Sequence, residues 1–278
     1  MSDPSNPGLL RQALLARLRF ERAMGIESIP PVALESAPVA ATTSAAPAEV
    51  SVSSPAKTLA PPLKAIAPVF TPPPAPRSEA PAPVPKSAAP IDKAERWKIL
   101  EAKAMACTAC ALAKGRTNVV FGTGNREAQL VFVGEGPGFD EDQQGVPFVG
   151  RAGQFLDKII AAMKLKRDEV YICNVVKCRP PENRTPLPDE IAACWPYLNE
   201  QLELVAPKVI VTLGAPATKT LLKTTQGIMA LRGKWFAYNK IPVMPTYHPA
   251  FVLRSYTEEN RRAVWEDMKQ VMTKLKAE

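Results

Sequence analysis

No apolar run in this chain approaches the ~20 residues that a membrane-spanning helix requires, so no membrane contact is expected. The N-terminus lacks the basic region, apolar core and cleavage site of an export signal, and a cytoplasmic, nucleoid-associated protein is expected. Cysteine is scarce and odd in number, five in 278 residues. Without an export signal disulfides are not expected, and metal or catalytic use is the better reading. Glycine is missing altogether from residues 28–90, where aromatics are also few and Pro, Ala, Ser and Val dominate. Such a stretch cannot bury enough apolar surface to offset the entropy of ordering it. Its proline content makes it an extended, semi-stiff spacer. The chain therefore divides into an N-terminal segment (1–27), a Pro/Ala-rich disordered linker (28–91) and a folded domain (92–278).

Acid is in deficit. Thirty-five Lys and Arg face 27 Asp and Glu, a formal charge of +8. Twenty-six basic and 20 acidic residues fall in 94–278, so most of the excess sits on the folded domain. A basic balance favours an anionic partner such as nucleic acid. Within the N-terminal segment, Leu10, Leu14 and Leu18 recur at helical spacing among Arg11, Arg17, Arg19 and Arg22. Residues 7–24 thus read as a short amphipathic helix. Packing on the domain, docking to a replication or repair protein, and an accessory DNA contact all remain open for it.

The folded domain is organised around residues 134–153, GEGPGFDEDQQGVPFVGRAG. A β-prone run at 129–133 leads into this stretch and an amphipathic run at 154–163 leaves it. Strand, glycine-rich loop and helix in that order place a ligand outside the carboxyl end of the strand. A phosphate cradle would need a lysine and hydroxyls. This loop has neither, and instead carries Glu135, Asp140, Glu141 and Asp142 with two phenylalanines, Phe139 and Phe148. It reads as built for a neutral planar ligand beside a buried acid, with a plain surface turn as the blander alternative.

Around the loop the periodicities predict a helix over 93–106, strands over 169–176 and 208–213, and helices over 188–205 and 215–223. A strand pair at 235–238 and 241–244 and a last helix at 258–276 complete the pattern, with no internal repeat. Alternating strands and helices predict an α/β fold with a mostly parallel sheet covered on both faces. Cys107 and Cys110 form a CxxC, while Cys178 and Cys194 lie far downstream and do not repeat that spacing, which argues against a zinc ribbon. Four thiolates gathered this way suit tetrahedral zinc or a [4Fe–4S] cluster equally. Cys173 reads as a small buried apolar residue.

Three motifs, GEGPGFDEDQQGVPFVGRAG, NVVKCRPPENRTPLP from Asn174 and TYHPA from Thr246, together with the placed cysteines, resemble the family 4, iron–sulfur uracil-DNA glycosylases. The resemblance spans roughly residues 95–274. The related covalently trapping branch is not matched, because no basic, His-bearing insertion follows Cys178. Cys173 stands where relatives more often carry Thr. The resemblance implies a three-layer α/β/α sandwich with a short, mostly parallel central sheet, and a structural [4Fe–4S] cluster on Cys107, Cys110, Cys178 and Cys194. It implies a monomer acting on uracil-containing DNA and hydrolysing the bond between uracil N1 and deoxyribose C1′.

The roles that follow are each tied to a physical demand. Phe148 stacks on the flipped base, and Gly136 lets the backbone approach it. Asn174 donates to uracil O4 and accepts from N3–H. Glu141 fills the space beside uracil C5, where a thymine methyl would clash. Glu135 orients water and favours an oxocarbenium-like centre. His248, the only histidine, stabilises charge on uracil O2. Phe251, Val252 or Leu253 wedges into the duplex, and Arg254, Lys177, Arg179 and Arg184 meet phosphate. Two other readings compete with this enzyme: a non-catalytic iron–sulfur DNA-binding or polymerase-associated module of the same fold, and a zinc-bound nucleotide hydrolase. The joint presence of Glu135, Asn174 and His248 opposes the first, and the missing phosphate-loop lysine opposes the second.

Overall fold

The computed structural model describes residues 92–277. The segments read as an N-terminal helix (7–24) and a linker (28–91) lie outside the described residues. Six strands form one sheet in the order β1-β3-β2-β4-β6-β5. They are β1 (Thr123–Gly124), β2 (Leu130–Gly134), β3 (Tyr171–Asn174), β4 (Val209–Leu213), β5 (Phe236–Tyr238) and β6 (Ile241–Thr246). The four inner strands run parallel, and β1 and β5 close the two edges antiparallel.

Side-chain alternation explains the layers. Every residue of β2 is buried. Leu130 and Phe132 enter one apolar cluster, while Val131 and Val133 enter the other. β3 and β4 divide in the same way, Ile172, Val209 and Val211 on one face, Tyr171, Cys173 and Ile210 on the opposite one. Strands apolar on both faces belong in a sheet covered twice. The helices are α1 (Lys93–Met105), α2 (Phe139–Gln144), α3 (Arg151–Ala162), α4 (Pro188–Val205), α5 (Ala215–Leu222), α6 (Ile228–Leu231), α7 (Pro249–Arg254) and α8 (Glu258–Lys276). α1, α4 and α5 cover one face with Trp97, Leu100, Leu198, Leu202 and Leu221. α3 and α8 cover the other with Leu156, Ile159, Ile160, Trp265 and Met268. This is the expected three-layer α/β/α sandwich, and Cys173, fully buried, is part of its core as expected.

Local chemistry sets the helix ends. α8 begins where the Thr257 hydroxyl accepts the Asn260 N–H at 3.2 Å. Glu258 and Glu259 occupy its first turn and Lys274 and Lys276 its last, each complementing the helix dipole. α4 opens on Pro188, where the missing N–H costs nothing, and Glu190 reaches back to the Leu187 N–H at 2.7 Å. Two expectations need correction. The strand expected over 169–176 is confined to Tyr171–Asn174, because Arg167–Glu169 closes a 3-10 turn before it. The loop expected over 134–153 contains the short helix α2, whose three acidic residues in the first turn suit a helix N-terminus.

Phe132, fully buried at the centre of β2, tests this layering. Phe132→Ala is expected to cost about 3–5 kcal/mol of unfolding free energy, read from chemical denaturation. A loss under about 1 kcal/mol would contradict the packing described, since truncated aromatics in close-packed cores cost far more.

Candidate active site

All four parallel strands deliver residues to one edge. Glu135 and Gly136 follow β2, Asn174 ends β3, Gly214 follows β4, and Tyr247 and His248 follow β6. With Phe148 they line a single cavity of about 620 Å³, within the usual range for small-molecule sites. The edge is the carboxyl end of the sheet, where α/β folds place ligands.

Three residues meet at the cavity's floor with no space to spare. Gly134 and Asn174 are paired in the parallel register of β2 and β3. A Cβ on Gly134 would lie 2.3 Å from Asn174 Oδ1 and 2.6 Å from the Phe148 ring. Only glycine permits that approach. Phe148 is 6% exposed and holds φ at 54°, a left-handed conformation that aromatic residues rarely adopt. Gly153 fixes it there, because a Cβ at that position would lie 1.9 Å from the Phe148 carbonyl oxygen. Strain of this kind concentrates where function demands a geometry. Asn174 is 1% exposed, and its Oδ1 is buried without a hydrogen-bond partner. A buried acceptor without a partner is costly, and Asn174 Oδ1 is able to accept from a donor on a ligand.

Glu135 and His248 face the same cavity from different strand ends. Burial pushes the Glu135 carboxyl above the ordinary carboxylate range, and a hydrogen bond from Thr185 opposes it. The carboxylate is thereby a stronger base. Burial drives the His248 ring down to about 4, with the positive charge of Arg254 adding to the effect. The ring is therefore neutral at neutral pH. Its Nδ1 accepts the Ala250 N–H at 3.1 Å, which puts the single ring proton on Nε2. The His248 ring lies 5.9 Å from the Phe148 ring, centre to centre, at 34°.

The remaining loop acids do other work. Glu141 Oε1 accepts the Val149 and Gly150 N–H groups, both at 2.9 Å, and Oε2 accepts the Gly138 N–H at 3.1 Å. These three bonds brace the loop and hold Glu141 in place at the cavity wall. Asp142 is buried and accepts the Thr117 N–H at 3.0 Å, holding the segment that follows the CxxC. Lys177 does not meet phosphate: it is 2% exposed and its Nζ donates to Asn174 O and Gln201 Oε1. Arg184 borders the cavity with its guanidinium engaged by both oxygens of Glu190, at 2.8 and 2.6 Å. Val252 cannot wedge, being fully buried, and Phe251 packs on Tyr247. Arg254 is exposed on the cavity rim. Arg179 donates to Asn183 Oδ1 and stacks over the exposed ring of Phe139, 5.1 Å from its centre. Thr185 and the Phe139–Arg179 pair were not singled out from sequence, since neither has a spacing signal.

The four expected cysteines come together. Cys107, Cys110, Cys178 and Cys194 line one small cavity with Ala104, Arg116 and Tyr197. Arg116 Nη1 donates to Cys178 Sγ at 3.2 Å, and the Lys177 N–H donates to Cys194 Sγ at 3.2 Å. Burial pushes the Cys178 and Cys194 thiols up, and these N–H donors partly offset it. Among the described residues, no three His, Cys, Asp or Glu side chains are grouped as a single metal ion would require.

The ends of four parallel strands thus frame one cavity, with the unpartnered amide oxygen of Asn174 at its floor. Residues 121–269 match the model of the uracil DNA glycosylase superfamily. The chain is 46% identical over 190 residues to the type-4 uracil-DNA glycosylase of Thermotoga maritima, covering 67% of this chain and 98% of that protein. The type-4 enzyme of Sulfurisphaera tokodaii is 44% identical over 62% of this chain and 81% of its own. That of Saccharolobus solfataricus is 45% identical over 61% and 82%. The chain belongs to the uracil DNA glycosylase superfamily.

Because His248 is the only histidine, its titration can be read without assignment. Nitrogen-15 spectra of histidine-labelled protein at pH 7 are expected to show the Nε2–H tautomer, with a midpoint near 4. The folded midpoint lies below the unfolded one, so this residue's contribution to stability is full above about 6.5 and is lost as the pH falls toward 4. A midpoint near 6.5 would refute the desolvated ring.

Proposed function

We propose that this chain is a monofunctional uracil-DNA glycosylase that hydrolyses the N1–C1′ bond of deoxyuridine in DNA, releasing uracil and leaving an abasic site. The observation that carries this reading is the buried, unpartnered Oδ1 of Asn174 at the floor of a cavity shared by Glu135, Phe148 and His248. A base inside a duplex must first leave the stack, at a cost of a few kcal/mol. Stacking on Phe148 returns about 1–3 kcal/mol without reading sequence. Asn174 Oδ1 then accepts uracil N3–H, and its amide nitrogen donates to O4. Cytosine has no hydrogen on N3 and an amino group in place of O4, so the same amide faces it with both groups mismatched.

Hydrolysis then divides between two residues. As the N1–C1′ bond breaks, its electron pair leaves with uracil, and negative charge gathers on O2. The neutral His248 donates Nε2–H to that oxygen. The Glu135 carboxylate faces the positive charge developing at C1′ and takes a proton from the attacking water. Lys177, directed away from this cavity into the core, is not available as a nucleophile, which supports hydrolysis without strand nicking.

Cys107, Cys110, Cys178 and Cys194 would hold a [4Fe–4S] cluster. Their convergence on one small cavity, with the likeness to type-4 uracil-DNA glycosylases, supports a metal centre shared by the four sulfurs. When bound, the cluster ties the end of α1, the loop after β3 and α4 together, and takes no part in the hydrolysis. Uracil-containing DNA is the partner, with Arg254 on the cavity rim and Arg179 beside the Phe139 ring as its phosphate contacts. The enzyme acts as a monomer in the cytoplasm on nucleoid DNA.

A uracil-containing oligonucleotide treated with the protein and then with alkali should break at the uracil. Glu135→Ala and His248→Ala are each expected to lower the single-turnover rate by roughly 10²–10⁴-fold while DNA binding survives. A modest effect on the chemical step would count against both roles. Asn174→Asp is expected to lose uracil preference and gain cytosine cleavage, and unchanged discrimination would remove Asn174 from recognition. Purified protein should be brown, with about four irons per chain, whereas colourless zinc protein would exclude the cluster.

A further inference from the structure

We propose that Lys177 is a positioning residue that fixes the uracil-reading amide of Asn174. The inference rests on the glycosylase reading above and deepens it. Asn174 selects uracil only while its amide keeps one orientation. Glycine-tight packing confines the side chain on the β2 side. On the other side, the peptide after Asn174 is held to β2 through the Val175 N–H on the Gly134 carbonyl, while its own carbonyl needs a separate donor.

Lys177 occupies that place. Lysine is almost never fully buried without partners, yet this one ranks among the largest fully buried side chains of the domain. Its Nζ donates to the Asn174 carbonyl oxygen at 2.8 Å and to Gln201 Oε1 at 2.5 Å. Gln201, fully buried in α4, turns its own Nε2 to the Phe121 carbonyl at 2.9 Å and to Tyr171 Oη at 3.0 Å. Tyr171 begins β3 and Asn174 ends it. One polar network inside an apolar layer therefore clamps both ends of the strand that carries the base reader. The main chain of Lys177 is fastened as well: its N–H donates to Cys194 Sγ, and its carbonyl accepts the Val120 N–H at 2.8 Å. The lysine thus holds Asn174 from a point anchored at the cysteine site. A hydrocarbon side chain would fill the volume but leave the Asn174 carbonyl and Gln201 Oε1 without their donor.

The test uses the metal-loaded full chain with Lys177→Met and, separately, Gln201→Met, which removes the lysine's other partner at a position remote from the cysteine loop. Two quantities are read. One is hydrogen exchange at the amides of Asn174, Val175 and Val176. The other is the ratio of affinities for DNA carrying a non-cleavable 2′-fluoro-deoxyuridine and the same DNA carrying 2′-fluoro-deoxycytidine. Both variants should exchange faster at these amides and lose about tenfold of the affinity ratio, with binding of the cytosine DNA unchanged. An unchanged ratio in both variants overturns the proposal. So does faster exchange spread evenly over the whole sheet, which marks a merely structural role. Should Lys177→Met lose its iron or fail to fold, Gln201→Met decides by the same two readouts, and failure of both to fold also overturns it. Wild-type protein with no preference for uracil DNA refutes the glycosylase reading instead, and the exchange pattern still decides whether Lys177 holds the end of β3.

Discussion

Where β2 ends there is no room for a side chain, and the rest of the site depends on that. The parallel register sets Gly134 beside Asn174, and Phe148 folds back over both. Any Cβ at Gly134 would displace the amide, the ring or the strand pairing. The close approach also explains the neighbouring irregularities. Phe148 adopts a left-handed backbone because its ring must return to the sheet edge, and Gly153 is small because α3 starts directly against the Phe148 carbonyl. A site built this way is preorganised: no side chain has to move to present a flat face and an acceptor to a base.

Burial acts on the two reacting groups in opposite directions. It raises Glu135 and lowers His248, because removal from water disfavours whichever form is charged. The result is useful chemically. A cationic imidazole would be drawn to a carboxylate lining the same cavity. A neutral ring does not compete, so in the proposed reaction the carboxylate would be free to face C1′ and water. The single ring proton, kept on Nε2 by the Ala250 N–H at Nδ1, is what the proposed uracil leaving group would need at O2. Arg254, exposed at the rim, reinforces the neutral state from outside the cavity.

Much of this was legible in the sequence because the carrying residues sit in short, contiguous motifs. The strand–loop–helix unit, the α/β layering and the convergence of Cys107, Cys110, Cys178 and Cys194 follow from periodicity, spacing and the family resemblance. The misjudged residues share a different property: their roles depend on partners distant in sequence or on backbone donors. Lys177 read as a surface cation because it lies in a proline-rich loop beside other basic residues. Its true partner, Gln201, is 24 residues away, and nothing in spacing announces a buried lysine. The bracing of the loop by Glu141 was likewise hidden, because the N–H groups that meet its oxygens are set by the folded loop and not by spacing. Val252 read as a candidate wedge because apolar loop residues suggest exposure, whereas α7 turns it into the core.

The proximity of Asn174 to Cys178 bears on why a metal site should lie away from the chemistry. Only Val175, Val176 and Lys177 separate Asn174, the proposed base reader, from Cys178. These residues leave the sheet edge, where a chain is ordinarily mobile. Val175 and Val176 continue the ladder by donating to the Gly134 and Glu135 carbonyls, so the backbone that carries Glu135 is held by the same segment. A group bound by four thiolates at the far end would fix the segment's position relative to α1 and α4. Errors in that position would reach Asn174 and Glu135 together, because one stretch of backbone serves both. Anchoring a five-residue span at both ends is a stiffer solution than packing alone, since side-chain packing resists compression but leaves an edge segment free to slide along its own direction.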